Sequence, residues 1–290
     1  MSARILDGKK IAQKVRDRVA EDVKEFKART GLTPGLSTIL IGEDPASAVY
    51  VASKKKATVE AGMNSFGHEL SADATREEVL ALIDELNADP ACSGILCQLP
   101  APEHLDPNEL TNHIHEFKDV DGLTVASAGR LSVGVPGLRP CTPEGCMELI
   151  AEAGVDLEGI HAVVIGRSNL FGRPMAKMLL DADATVSICH IHSLQTAEIA
   201  RQADVLVVAT GVPGLVKADW VKPGATVIDV GITRTPTGLV GDVEFDAVKE
   251  VAGVITPVPG GVGPMTIACL LRNTLKAAEL QYAAREVATV

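Results

Sequence analysis

A lysine becomes a usable base near neutral pH when burial or a neighbouring cation lowers its pKa. Lys54 is a candidate for that chemistry. Tyr50, one of two tyrosines in the chain, lies four residues before it in a segment of helical character, so the two side chains share a face. Gln98 closes the apolar run Gly94-Ile-Leu-Cys-Gln-Leu-Pro100. There it either projects from the carboxyl edge of a sheet or simply caps a strand. Asp121 sits in Lys118-Asp-Val-Asp-Gly122, where Asp-Gly reads as an ordinary turn or as a carboxylate offered to N–H donors.

A second constellation suits a phosphate. The apolar strand His161-Ala-Val-Val-Ile-Gly166 leads into Gly166-Arg-Ser-Asn-Leu-Phe-Gly172-Arg-Pro174 and then into a helix from Met175. Gly166, small Ser168 and Gly172 let backbone amides approach a pyrophosphate at the helix N-terminus. The glycines are six apart, so this is not the usual G-x-G-x-x-G, and spacing alone reads equally well as a loop. The strand before it and the helix after it favour a dinucleotide site. The following strand, Thr185-Val-Ser-Ile-Cys-His190, ends without the acid that binds a ribose diol in NAD enzymes. Arg167 reads either as a solvated surface arginine or as a permanent charge for a 2′-phosphate, and the latter favours NADP.

Three more loops follow strands. They are Thr210-Gly211-Val-Pro-Gly214, Asp229-Val-Gly-Ile232-Thr233 and Thr256-Pro-Val-Pro259-Gly260-Gly261-Val-Gly-Pro-Met-Thr266. The last is richer in Gly and Pro than a simple turn requires. It suits either a flat ring ligand or a tight connection. Tyr-x-x-x-Lys is also the spacing of the short-chain dehydrogenases, where it follows the nucleotide loop within one domain. Here it precedes the Gly166 loop, so that family is rejected.

Positioning these residues takes alternating strands and helices. The patterning predicts a helix over 8–29, strands at 36–41, 65–70 and 93–98, and helices at 47–61 and 74–87, the latter opened by a capping box from Thr75 to Glu78. Residues 119–143 read as a Gly- and Pro-bearing connection, with a boundary near Pro143 and a helix at about 144–154. A second series has strands at 161–166, 185–190, 204–210, 226–231 and 253–256, then a last helix from Met265 to about Ala284. The fold class is α/β: an N-terminal substrate domain (1–143) and a C-terminal Rossmann-like parallel-sheet domain (144–265). The last helix, about 266–290, packs back on the first domain.

Composition narrows the function. The chain of 290 residues is 46% hydrophobic and 22% charged, enough for two cores. Its 27 Lys and Arg against 38 Asp and Glu give a charge of −11, which argues against nucleic-acid binding. The six cysteines form no Cys-x-x-Cys pair and no zinc-like cluster, so no metal is expected and the thiols read as reduced core residues. No apolar run is long enough to span a bilayer and no signal core opens the chain, so the expected compartment is the cytoplasm.

Tyr50-Val-Ala-Ser-Lys54, Gly94–Pro100, Lys118–Gly122, Arg139-Pro-Cys-Thr-Pro143, Gly166-Arg-Ser168 and Pro257–Thr266 occur in this order along nearly the whole chain. Together they resemble the bifunctional methylenetetrahydrofolate dehydrogenase/methenyltetrahydrofolate cyclohydrolase family. The resemblance implies oxidation of methylenetetrahydrofolate with NADP, hydrolysis of the methenyl product to 10-formyltetrahydrofolate, and a homodimer. It implies Lys54 as the acid/base group, Gln98 as its tuning partner, Tyr50 stacked on the aminobenzoyl ring and Asp121 on the pterin nitrogens. Pro259, Gly260 and Gly261 would help hold the folate. Gly166, Arg167, Ser168, Gly172, His190, Ser193, Gly211, Ile232 and Thr266 would hold the cofactor. Two segments depart from the family's pattern. Leu123-Thr-Val-Ala-Ser-Ala-Gly129-Arg-Leu131 replaces a His-Pro-x-Asn stretch. Cys189-His-Ile-His-Ser193 replaces Cys-His-Ser with a basic residue, leaving Arg167 with His190, His192 or Ser193 for the 2′-phosphate. The competing readings are another two-domain dehydrogenase with a shikimate-like or amino-acid substrate, and a nucleotide-sensing scaffold. Neither needs Lys54, Gln98 and Asp121 together.

Overall fold

A computed structural model of the chain describes residues 2–236 and 238–288. It contains two compact units: Met1–Gln13 with Thr142–Thr266, and Lys14–Cys141 with Ile267–Val290. The chain opens with β1 (Arg4–Ile5) and α1 (Gly8–Thr30), followed by β2 (Gly35–Ile41), α2 (Pro45–Glu60), β3 (Asn64–Leu70), α3 (Arg76–Ala88) and β4 (Gly94–Cys97). Strands β3, β2 and β4 form a parallel sheet with β2 at its centre. All seven residues of β2 are buried, as a parallel strand covered on both faces requires. Ile39 and Ile41 pack with Val79, Ile83 and Leu86 of α3. A second cluster joins Val19, Val23 and Phe26 of α1, Ala57 of α2, and Leu271 and Leu275 of the last helix.

The helices start where side chains satisfy their first amides. Asp44 accepts from the Ser47 N–H at 2.7 Å, opening α2. Thr75 and Glu78 form the expected capping box of α3.

Residues 119–143, read from sequence as a connection, instead carry α5 (Val125–Ser132), which follows α4 (Pro107–His113). Thr124 caps α5 by accepting from the Ser127 N–H at 3.1 Å, and Gly129 is tolerated inside it. The boundary expected at Pro143 falls inside α6 (Cys141–Ala153), because a proline in a helix's first turn gives up no intrahelical donor.

The other unit holds β5 (His161–Ile165), α7 (Gly172–Asp181), β6 (Thr185–Cys189), α8 (Thr196–Ala200), β7 (Val205–Val208) and β8 (Thr226–Asp229). These are followed by β9 (Thr233–Thr235), β10 (Gly238–Val240), α9 (Phe245–Val248) and β11 (Val254–Ile255). Helix α10 (Val262–Ala288) closes the chain. Six parallel strands run in the order β1-β11-β8-β7-β5-β6 around a core that includes Val163, Ile165, Leu206, Val208, Val227 and Ile255. The antiparallel pair β9–β10 has no counterpart in the sequence reading; each strand is only three residues long.

The segment up to Gln13 differs from its expected place in the first domain. It joins the six-stranded unit because β1 pairs in parallel with β11, Arg4 to Val254 and Ile5 to Ile255. Arg4 adds a hydrogen bond to the Ala153 carbonyl at 2.7 Å. Among the described residues no helix is long and apolar enough to cross a membrane.

Candidate active site

In the Lys14–Cys141 unit, α2 and the carboxyl end of β4 bring Lys54 to Gln98. The Lys54 side chain is only 9% exposed, and its Nζ donates to Gln98 Oε1 at 2.9 Å. Gln98 is itself oriented, because its Nε2 donates to the Leu99 carbonyl at 2.7 Å. That fixes its oxygen toward the lysine. Burial pushes the Lys54 pKa down, and the neighbouring Asp121 and Cys141 only partly oppose this. The Asp121 carboxyl is pushed up by desolvation, against the pull of Lys54. Tyr50, one turn before Lys54 on α2, stands 44% exposed, open to a ligand's flat face.

The segment that presents Asp121 is built residue by residue. Lys118 is buried and donates to the carbonyls of Leu86 at 2.8 Å and Asp89 at 2.7 Å, anchoring the chain to the end of α3. Asp119, also buried, shapes the turn. Its Oδ1 accepts from the amides of Gly122 and Leu123, and its Oδ2 from the Thr124 amide and Ser127 hydroxyl. Val120 points into the core, packed over Gly94, where any Cβ would collide with it. Gly122 has φ +72°, and a Cβ there would meet the Arg139 backbone. Asp119 was not singled out from sequence. Its spacing from Gly122 in an Asp-x-x-Gly turn is the one signal that could have found it.

In the other unit the glycine loop after β5 takes the form a phosphate cradle needs. Gly166 has φ +129°, and a Cβ there would strike the Ala209 carbonyl. A Cβ on Gly172 would strike the Gly166 carbonyl, so helix α7 starts hard against the strand end. Ser168 Oγ accepts from the Phe171 amide at 3.1 Å and closes the turn. This cradle, which side chains would fill, fits a pyrophosphate on the α7 N-terminus. Arg167 is exposed beside it. The same charge, after desolvation, helps lower the His190 pKa, which places Arg167 near the end of β6. There Ser193 Oγ accepts from the His190 amide at 2.9 Å, and His190 Nδ1 accepts from the His192 amide at 3.2 Å. Arg167, His190 and His192 thus lie together at the end of β6.

The remaining expected residues also fall in this unit. Gly211 has φ +70° in the turn after β7, and Ile232, 45% exposed, follows β8. Pro259, Gly260 and Gly261 lie in the segment before α10, where a Cβ on Gly261 would strike the Pro257 carbonyl. Thr266 shares a hydrogen bond with Thr142 at 3.1 Å. Each unit thus gathers its own set: Tyr50, Lys54, Gln98 and Asp121 in one, the glycine-bearing loops in the other. Two buried acids beneath these loops had no role in the sequence reading: Asp229, named there only as the start of a loop, and Asp242.

Two family models cover most of the chain. Residues 6–121 match the tetrahydrofolate dehydrogenase/cyclohydrolase catalytic domain, and residues 140–282 match its NAD(P)-binding domain. Bifunctional protein FolD 2 of Frankia casuarinae is 60% identical over 279 residues, covering 96% of this chain and 97% of that protein. The bifunctional FolD methylenetetrahydrofolate dehydrogenase/cyclohydrolase of Campylobacter jejuni superposes with a TM-score of 0.93 at 46% identity, covering 97% of this chain and 100% of that one. The Trypanosoma brucei dehydrogenase-cyclohydrolase, solved with NADP and an inhibitor, has a TM-score of 0.92 at 38% identity, covering 97% and 99%. With both domains matched and the lysine–glutamine pair and glycine cradle in place, the chain belongs to the tetrahydrofolate dehydrogenase/cyclohydrolase family.

Proposed function

We propose that this protein oxidises 5,10-methylenetetrahydrofolate to the methenyl cation with NADP and hydrolyses that cation to 10-formyltetrahydrofolate. The observation that carries the reading is the buried Lys54 amine, held at 2.9 Å on the Gln98 oxygen. Bound NADP supplies the hydride acceptor. The Gly166–Gly172 cradle would hold its pyrophosphate, with Arg167, His190 and Ser193 at the 2′-phosphate and Gly211, Ile232 and Thr266 along the rest of the dinucleotide.

In the hydrolytic step water adds to the methenyl carbon and must lose a proton. Lys54 takes that proton as the neutral amine, the form that its burial favours. A cationic substrate beside it favours that form further. The carbinol then collapses: its C–N5 bond breaks as the carbonyl forms, the Lys54 ammonium returns its proton to N5, and the hydroxyl proton leaves to solvent, giving the 10-formyl product. Gln98 keeps the lone pair in place by accepting one Lys54 N–H. Asp121 accepts from the N–H donors of the aminopyrimidine edge, and Tyr50 stacks on the aminobenzoyl ring. Pro259, Gly260 and Gly261 present backbone to the folate. We further infer a homodimer working in the cytoplasm, which sedimentation at twice the chain mass would support.

The test is a spectrophotometric assay with methylenetetrahydrofolate, run with NADP and with NAD in parallel, on wild type and Lys54→Met. Reduced cofactor from wild type, preferentially NADPH, and methenyl decay that disappears in the variant are the expected results. Folded wild-type protein that turns over neither cofactor would sink the reading.

A further inference from the structure

Behind the dinucleotide loops lie two carboxylates that the chemistry above does not use. Asp242, fully buried, gathers three donors on one oxygen. Its Oδ2 accepts from the Thr210 amide at 2.6 Å, the Thr210 hydroxyl at 2.9 Å and the Gly211 amide at 2.8 Å. Its other oxygen has no partner among the described residues and faces the Gly231 Cα, where a Cβ would overlap it. Asp229, at the end of β8, holds Asp242 in turn. Asp229 Oδ1 accepts from the amides of Asp242 and Gly231, and Oδ2 accepts from the amide of Val243, each at 3.0 Å. The two acids therefore act in series: Asp229 fixes the segment that carries Asp242, and Asp242 fixes the turn after β7.

We propose that Asp242 is a positioning residue for the dinucleotide, the buried carboxylate that holds the Thr210–Gly211 turn in its ligand-binding form. This rests on the reading of Gly211 as a cofactor contact. The turn needs such a brace because Gly211 sits at φ +70° and belongs to no strand or helix. Without it the two part-buried amides would be left unmet or would turn outward to water. Asp229 extends the same support to Gly231, the neighbour of Ile232. A pair of acids beneath an anionic ligand carries a Coulombic cost. Their retention at full burial is explained by the five backbone amides that they fix.

The experiment exploits the fact that hydrolysis of methenyltetrahydrofolate consumes no dinucleotide. NADP affinity is measured by calorimetric titration and cyclohydrolase activity without added cofactor, for wild type, Asp242→Ala, Asp242→Asn and Thr210→Val. Asp242→Ala is expected to raise the NADP Kd about tenfold or more, with cyclohydrolase kcat/KM within about twofold of wild type. Asp242→Asn keeps one acceptor oxygen for all three donors and should stay within about threefold in Kd. A folded Asp242→Ala protein with wild-type NADP affinity overturns the proposal. So does a parallel loss of hydrolysis, which would mark a merely structural role. If the alanine variant does not fold, Thr210→Val decides: it loses one of the three donors, and an unchanged Kd overturns the proposal. Wild type that hydrolyses the methenyl substrate but binds no NADP would instead remove the dinucleotide reading on which this inference rests.

Discussion

At the level of single residues, the proposed hydrolysis turns on how the Lys54 amine is kept short of protons. Lys54 is buried, its pKa lies below the usual lysine value because desolvation outweighs Asp121, and its Nζ donates to a neutral amide oxygen. Lys54→Met should therefore cost hydrolysis of the methenyl substrate by about 10²–10⁴-fold in kcat, the span general acid–base groups command. Stability should move the other way. The folded-state pKa is depressed, so the protonated lysine costs the fold a desolvated charge, and that cost fades as pH rises from the folded pKa toward the unfolded one. Methionine removes the cost, so the inactive variant should melt a few degrees higher than wild type near pH 7. A lower melting temperature would show that the Gln98 bond outweighs desolvation. Lys54 was legible in the sequence because it lies one helical turn after Tyr50 within an expected helix, Gln98 because it ends an apolar strand, and Asp121 because it sits in a turn motif. Asp119, Asp229 and Asp242 were not, because they act on backbone amides. Their donors are mostly main-chain groups, some of them far off along the chain, and only Asp119 leaves a trace in the sequence, its Asp-x-x-Gly turn.

At the scale of elements, strand-turn-helix units fix where each loop points. The long periodic segments (α1, α2, α3, β2 and β5) could be read directly, since helical spacing or a continuous apolar run leaves few alternatives. Helix α5 could not. Its glycine at 129 suggested a break; the Thr124 cap, supported by Asp119, and the Asn112 side chain on the Val125 amide satisfy its first donors. The β5–α7 turn shows the opposite case, where glycines specify the geometry. A Cβ at 172 would press on the Gly166 carbonyl and on the Arg167 amide nitrogen at 2.9 Å. Gly172→Ala must therefore push α7 away from the strand end. The expected outcome is an NADP Kd raised by about tenfold or more, with cofactor-free hydrolysis unchanged, as Lys54 and Gln98 belong to the other unit. Calorimetric titration that finds wild-type NADP affinity would mean that the loop relaxes without cost and does not form the phosphate cradle.

Across the whole molecule, each compact unit keeps a buried ionisable group, and the two should bend the pH–stability curve in opposite senses. Lys54 gives stability that increases with pH on the alkaline side. Asp229 does the reverse on the acid side. It is 3% exposed, and desolvation lifts its pKa from 3.8 to about 6 despite three backbone amides donating to it. A group whose folded pKa is raised binds its proton more tightly in the fold. Its contribution is thus complete below about pH 3.8 and is lost as pH climbs through about 6. At 1.36 kcal/mol per pKa unit the loss is roughly 3 kcal/mol. Half-buried surface carboxylates paired with arginines, such as Glu109 with Arg76 and Glu116 with Arg130, tilt the raw curve the other way, since their pKa values are lowered. Solvent screening keeps each of those contributions small. Comparing wild type with Asp229→Asn at each pH cancels them, because both proteins share every other group. Melting temperatures between pH 4 and pH 7 should then show wild type losing ground steadily to the asparagine variant, by several degrees over the interval. A difference that stays flat would place the Asp229 proton elsewhere, and would mean that the three amides stabilise the carboxylate more than burial opposes it.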